Sequence, residues 1–469
     1  MAVATQVQWN ARTAAHLLRR AGFGGTPEEA ARLEALGMEG AVDHLLQPSE
    51  GGLDAPATDP AEREKERRLR QARKNGKDEE FRRFKRQQME AFRDIQYWWL
   101  RRMRDPRQAV SEKLTLFWHG HFATSQTKVR CNHAMLLQNQ TLRRLGSGPF
   151  RDLCEAMVCD PAMLVWLDGR QNQAKAPNEN FSREVMELFT LGEGNYTEDD
   201  IREAARAFTG WVVHRDNGQA DFVPRRYDSG EKVIFGKRGR FDAAGTIDLL
   251  CSLPRCAEFL AGKLWEFYAG RAPSPELAPA LASRYGEEKL HTGKFLRFAF
   301  THPEFYSDRV RSSQVKSPVQ WLVQASSELG RQLLPPGVAL PLVSDLGQRL
   351  FQPPSVKGWD GGAAWINSAT LIRRSNTARL FVSVAPPLPE IGESSLDALA
   401  WRNVAPPEAR VSADALQKRL EAVFLAAAPS TTTRHHLGSV LEKKAFPCTD
   451  ETVREASMVL LAAPEYNLC

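Results

Sequence analysis

Apolar residues recur every three or four positions along most of this chain, the period of an amphipathic helix rather than of a strand. In TPEEAARLEALG, Thr26 is placed to cap a helix, Pro27 takes the first helical position, and Glu29 completes a capping box. Gly37 follows where glycine commonly closes a helix. The same grammar returns in NYTEDDIREAARAFTGW: Thr197 caps, Glu198 to Asp200 fill the first turn, and Ile201, Ala204, Ala205 and Phe208 form the apolar stripe. Four segments, LCEAMVCDPAML, LLCSLPRCAEFL, FLRFAFTHPEFY and VLLAAPEYNLC, run into a proline near a helix end, which predicts helix–corner–helix units.

One region breaks the helical period. In WVVHRDNGQADFVPRRYDSGEKVIFGKRG, residues 211–239, β-branched and aromatic runs flank Asp216–Asn217–Gly218, a hairpin signal, and Lys232–Phe235 reads as a further strand joining that hairpin. The pattern predicts a mainly α protein, a large multi-helical body with a small β-hairpin insertion near 211–239. The Pro-rich stretch APPLPEIGESS, 385–395, separates a main helical domain, 1–384, from a C-terminal helical segment, 385–469, that packs on it as part of one unit.

Composition adds limits. The chain has 469 residues, 42% of them hydrophobic and 26% charged, an ordinary globular balance with ample core material. No apolar run approaches the roughly 18 residues of a membrane helix. The N-terminal stretch has neither a basic-then-apolar start nor a small-residue cleavage site, so the expected location is cytoplasmic.

The net charge is +6, and residues 62–94 alone hold 13 Lys and Arg against 8 Asp and Glu, a surplus of +5. Their signs alternate, and aromatic interleaving is missing, so this is a solvated segment rather than a nucleic-acid site. It predicts a charged linker over 54–77, with little structure over 54–76, then a helix from near Asp78 whose apolar positions are Phe81, Phe84, Met89, Phe92 and Trp99. Seven cysteines with no CxxC spacing read as buried free thiols.

Several strings occur together: HLLRRAGFG (16–24), EKLTLFWHGHFATS (112–125), NFSREVMELFTLGEGNYTEDDIREAARAFTGW (180–211), KSPVQWLV (316–323) and GQRLFQPPSVKGWDGGAAWINSATLIRR (347–374). In order and wording they resemble the large bacterial family catalogued as domain of unknown function 1800, from about residue 12 to the terminal LLAAPEYNL. The resemblance implies a predominantly helical fold and no established reaction. It also implies export to the periplasm as the alternative location, and a sulfatase-like neighbour protein as a partner. The chain departs from the family wording at Gly120, where Asn is usual, at Tyr227, where RHD is common, and at Leu253, where His often precedes the proline.

The candidate chemistry lies in two of these strings. Val110, Leu114, Phe117 and His121 step by four, three and four, so His121 continues the apolar stripe of a helix. Residues two apart lie about 200° apart on a helix, so a joint site for His119 and His121 requires the helix to break at Gly120. Glu184 and Glu187, three apart, share a helix face and supply carboxylates, and Arg183 is spaced to pair with Glu187 instead. Imidazoles with carboxylates suit acid–base catalysis by His119, His121, Glu184 and Glu187, or a divalent metal held by His119, His121 and Glu184.

The second string forbids regular helix through 353–363 and presents Lys357, Trp359, Trp365, Asn367 and Arg373 for substrate binding. Aromatic faces with amide and cationic donors suit a glycan or an acidic polymer. Neither a GxSxG, a P-loop nor a CxxCH occurs. Two readings follow: an enzyme whose His/Glu site is roofed by the 347–374 loop, or a non-catalytic glycan- or partner-binding assembly protein that uses the tryptophan-rich loop.

Overall fold

The computed structural model describes residues 7–48, 51–73, 78–169, 172–214, 216–383 and 401–469. Helices dominate. In chain order they begin with α1 (Ala11–Ala21), α2 (Pro27–Ala35), α3 (Gly37–Leu46), α4 (Glu62–Arg73), α5 (Asp78–Arg104) and α6 (Ala109–His121). There follow α7 (Gln126–Val129), α8 (Asn132–Leu145), α9 (Phe150–Val158), α10 (Pro161–Trp166), α11 (Glu179–Glu184) and α12 (Glu198–Ala207). Beyond the strands come α13 (Ala243–Ser252), α14 (Pro254–Ala269), α15 (Leu277–Glu287), α16 (Thr292–Thr301), α17 (Pro318–Glu328), α18 (Pro336–Asp345) and α19 (Ser368–Ser383). The last three are α20 (Ala413–Phe424), α21 (Thr431–Leu441) and α22 (Asp450–Ala462). The Pro-rich boundary expected at 385–395 lies outside the described residues.

Local sequence chemistry explains many of the ends. The Thr26 hydroxyl accepts from Glu29 N at 3.3 Å while Thr26 N donates to Glu29 Oε2 at 2.7 Å, a closed capping box at the start of α2. Gly37, at φ +70°, turns the chain just past its end, where a Cβ would be strained. Thr197 and Asp200 cap α12 in the same reciprocal way. All four proline corners are present. Pro161 opens α10 and Pro254 opens α14, while Pro303 and Pro464 each open a short 3-10 turn after α16 and α22.

The β insertion is as small as expected, but its pairing differs. Strand β1 (Trp211–Val213) pairs antiparallel with β2 (Ala220–Phe222), in the register Val213 opposite Ala220. Lys232–Phe235 does not join that hairpin. Instead β3 (Lys232–Ile234) pairs with β4 (Lys237–Gly239). Phe235 and Gly236 take φ +48° and +70°, so two consecutive left-handed residues make the tight turn that closes this second hairpin on itself.

The charged stretch also departs from expectation. A helix starts at Asp78, but α4 already occupies part of the segment expected to be a linker. Glu64 pairs with Arg67 at 2.7 Å and Arg68 at 2.9 Å, and Glu66 with Arg70 at 2.9 Å and with Lys85 of α5 at 2.7 Å. Glu62 is buried and accepts from Asn132 N at 2.8 Å, so α4 is fixed to the N-terminus of α8. Met89, expected on the apolar side of α5, is 60% exposed.

The buried apolar residues form two clusters. One gathers α1–α3, α9 and α11–α16, and the other gathers α5, α17–α19 and the last three helices. Helix α6 serves both: Leu114, Phe117 and Trp118 enter the first, Ala109 and Leu116 the second. A helix between two cores is buried on every side, which is what positions the site.

Candidate functional site

Because α6 has no solvated face, its polar residues need internal partners. Glu112, fully buried, accepts from Arg102 Nε and Arg143 Nε, each at 2.6 Å, and from Trp99 Nε1 at 2.8 Å. Lys113 donates to Gln320 Oε1 of α17 at 2.5 Å and to Gly22 O at 2.9 Å. Gln320 passes the chain on to Gln324, and Gln324 to Glu328, at 2.9 and 2.7 Å. This string of amides runs from a lysine to a glutamate, so its two end bonds are charge-assisted and the amide–amide bond between them is polarised by both. Trp118, also fully buried, donates to Gly146 O at 2.9 Å. Burying some 150–250 Å² of indole is worth about 4–6 kcal/mol of transfer free energy.

The helix does not break at Gly120, so the two histidines diverge. His121 Nε2 lies 3.0 Å from Phe189 O. A carbonyl only accepts, so Nε2 carries the proton and Nδ1 is left as a lone-pair acceptor. That Nδ1 is buried and has no partner. Burial, reinforced by the charge of Lys263, holds His121 neutral well below the usual histidine range. His119 points instead into an aromatic box of Trp99, Phe351 and Trp359, with ring centres 5.3, 5.4 and 5.6 Å away. Its Nε2 is unpartnered, and burial alone lowers it to about 3. Among the described residues, no three His, Cys, Asp or Glu side chains are grouped so as to hold a metal ion.

The carboxylates lie beside this site rather than in it. Residues Val185–Thr190 continue α11 as a π-helical turn, a form that recurs at functional sites. The turn ends at Leu191, and the free Phe189 carbonyl left near that end is the one His121 caps. Glu187 accepts from the Tyr196 hydroxyl at 2.6 Å, and Arg183 pairs with Glu198 at 2.7 Å, not with Glu187. Glu184 is half-buried. Burial and the neighbouring Glu187 raise it, while Lys357 acts in the opposite direction.

The 347–367 loop closes over α6. Gly358, at φ +84°, lies so close that a Cβ there would stand 2.4 Å from Gly120 O. The helix does not break at Gly120; its carbonyl is where the loop backbone rests, and it is Gly358 that must lack a Cβ. Phe351 is held at φ +60°, a strained value for a bulky residue, and its carbonyl accepts from Gln126 N at 2.9 Å. Beneath the loop is a cavity of about 310 Å³, lined among others by Lys113, Phe117, His121, Lys263, Phe267, Gln320, Lys357, Trp359 and Trp365.

Of the residues expected from sequence, His121, Lys357, Trp359 and Trp365 line this cavity. Trp365 is buried and Trp359 half-buried, standing between His119 and the cavity. Two others serve structure. Asn367 Oδ1 accepts from Thr370 N at 2.9 Å at the start of α19, and Arg373 pairs with Asp345 at 2.7 Å.

The sequence reading missed Lys113, Lys263 and Gln320. Lys113 is a charged residue beside Glu112 on a helix that the fold buries between two cores. Two exposed acids, Glu266 and Asp360, also line the cavity, against three lysines and the neutral His121.

A multi-helical protein whose loop roofs a lysine-lined cavity is thus the class defined by fold and site. The chain belongs to the family described as protein of unknown function (DUF1800), whose model matches residues 16–468. No curated protein and no solved structure matches it. Among the described residues no helix is long and apolar enough to cross a membrane.

Proposed function

We propose that the cavity beneath the 347–367 loop binds a small organic anion, and that His121 Nδ1 serves there as proton acceptor. The observation that carries this reading is the lining itself. Lys113, Lys263 and Lys357, opposed by Glu266 and Asp360, share with Phe117, Phe267, Trp359 and Trp365 a cavity of about 310 Å³, the small end of ligand-site volumes. His121 is a neutral imidazole of fixed tautomer with a vacant but buried nitrogen, and a bound anion, by offsetting the burial and the charge of Lys263 that depress it, would let that nitrogen accept a proton. Glu184 and Glu187 lie beside the site, where Glu184 feels the charge of Lys357.

The binding-module reading has less support. A glycan chain or acidic polymer needs exposed aromatic faces, and here Trp365 is buried and Trp359 half-buried. Arg373 and Asn367 are engaged in structural contacts. Nothing on the described surface favours a sulfatase-like partner. A divalent metal on His119, His121 and Glu184 would need His119 to leave its aromatic box.

Calorimetric titration with small carboxylates, sulfate, phosphate and a uronic acid tests the proposal. Saturable binding of at least one is expected, weakened about tenfold in Lys357→Ala, as for loss of one charge-assisted contact. Binding only by long acidic oligosaccharides would favour the binding-module reading instead. Stoichiometric metal in the purified protein, lost in His121→Ala, would replace the proposal with a metal site.

A further inference from the structure

The three lysines of the cavity are not equivalent. Lys113 is saturated by carbonyl oxygens, with Gln320 Oε1 at 2.5 Å and Gly22 O at 2.9 Å. Lys357 is exposed on the loop, where it can meet the charge of an incoming ligand. Lys263, on α14, is half-buried and makes no hydrogen bond or ion pair among the described residues. Its Nζ lies 5.0 Å from the centre of the Phe259 ring, an apolar setting. Burial lowers its amine to about 8 against the opposing charge of Glu266.

An aliphatic amine that is desolvated, unpaired and placed in a ligand-sized cavity is an activated nucleophile toward carbonyl carbon. His121, whose neutral ring feels the charge of Lys263, supplies a neighbouring group able to move protons. Lys357 supplies a cation for an acid group, and Phe117, Phe267 and Trp359 supply apolar walls for the rest of the molecule.

We propose that Lys263 forms an imine with a carbonyl compound that also carries a carboxylate, of which an aryl-substituted 2-oxo acid is a member. The inference rests on the proposed anion-binding role of the same cavity. In the step, the lone pair of neutral Nζ forms the C–N bond and the carbonyl oxygen becomes a hydroxyl. The C–O bond then breaks, and the oxygen leaves as water with the two hydrogens given up by the amine. His121 Nδ1 takes one of these from nitrogen and returns it to oxygen, so no oxidant or reductant is consumed. The resulting imine draws electrons from the adjacent carbon, which prepares a neighbouring C–H or C–C bond for cleavage.

Phenylpyruvate and phenyllactate test this, since they differ only in the carbonyl. The full-length protein is treated with phenylpyruvate and cyanoborohydride, digested, and mapped by mass spectrometry. Phenyllactate is titrated in parallel by calorimetry. The expected result is one reduced adduct at Lys263, at least about tenfold above any exposed lysine, as for an activated amine, together with saturable phenyllactate binding. Lys263→Arg keeps the charge and should lose the adduct, with phenyllactate titrated on the unaltered chain as the measure of binding. Because mapping uses the unaltered chain, the result does not depend on the variant folding. Binding of phenyllactate without an adduct at Lys263, or adducts scattered over exposed lysines, would overturn the imine and leave the anion site standing. Neither binding nor adduct would overturn both.

Discussion

Replacing His119 with leucine isolates the cost of keeping a buried imidazole neutral. His119 is 1% exposed, boxed by Trp99, Phe351 and Trp359, and burial lowers it to about 3. In the unfolded chain it titrates near 6.5. The native state therefore binds fewer protons between these values. The contribution is fully present above the unfolded value and is lost as pH falls from there toward 3. Over the part of that window between about pH 7.5 and about pH 5, linkage takes away about 2 kcal/mol. Leucine has nothing to titrate, so His119→Leu should lose about 2 kcal/mol less than the unaltered protein over the same interval. The leucine also removes a buried nitrogen that has no partner, while giving up three ring contacts, so the change at neutral pH should be small. Urea unfolding followed by circular dichroism at both pH values measures the difference directly. Parallel pH dependences in the two proteins would show that His119 is not held neutral by its box. His16 and His121 are buried too, but they are common to both proteins and cancel in the comparison.

Two further substitutions probe the frame of the cavity. Glu112→Ala leaves Arg102 and Arg143 without their shared buried carboxylate and should cost about 3–5 kcal/mol, read as a lower urea midpoint. A loss below about 1 kcal/mol, the level of an exposed pair, would mean that water reaches those guanidinium groups. Gly358→Ala places a methyl 2.4 Å from Gly120 O at φ +84°. It should cost about 1–3 kcal/mol and lift the loop, seen as a red shift in tryptophan emission. An unchanged spectrum and melting temperature would show that the loop does not rest on Gly120.

What could be read from the sequence follows the range of the forces involved. The Thr26–Glu29 and Thr197–Asp200 boxes and the four proline corners depend on residues within one turn of each other, and they are where the pattern places them. The divergence of His119 and His121 was also legible, because a helical period already sets them far apart. Helix α4 was not. Its composition is that of a solvated segment, and what fixes it is a contact from Glu62 to Asn132, seventy residues away. The π-helical turn after Glu184 was equally hidden, since no residue type marks it in advance. The cavity was half legible. Its loop residues announced themselves through proline and glycine, whereas Lys113, Lys263 and Gln320 come from three separate helices and meet only by tertiary packing.

Gly120 shows where such reading divides. Between two histidines, a glycine inside a helix has two physical meanings: a place to break, or a place for another backbone to come close. Helical period alone does not separate them. The answer lies more than two hundred residues further on, in a glycine-rich loop that cannot form helix and that carries Gly358 at φ +84°. The crossing requires that Gly358 carry no Cβ, whereas a Cβ on Gly120 would meet only the Trp359 ring, at 3.9 Å. With α6 intact through Gly120, His119 points into the aromatic box and His121 stays at the cavity. By letting the loop come down, Gly358 sets Trp359 against His119 and Lys357 over the cavity. In this chain, the close approach of loop and helix is therefore what gives the cavity its roof.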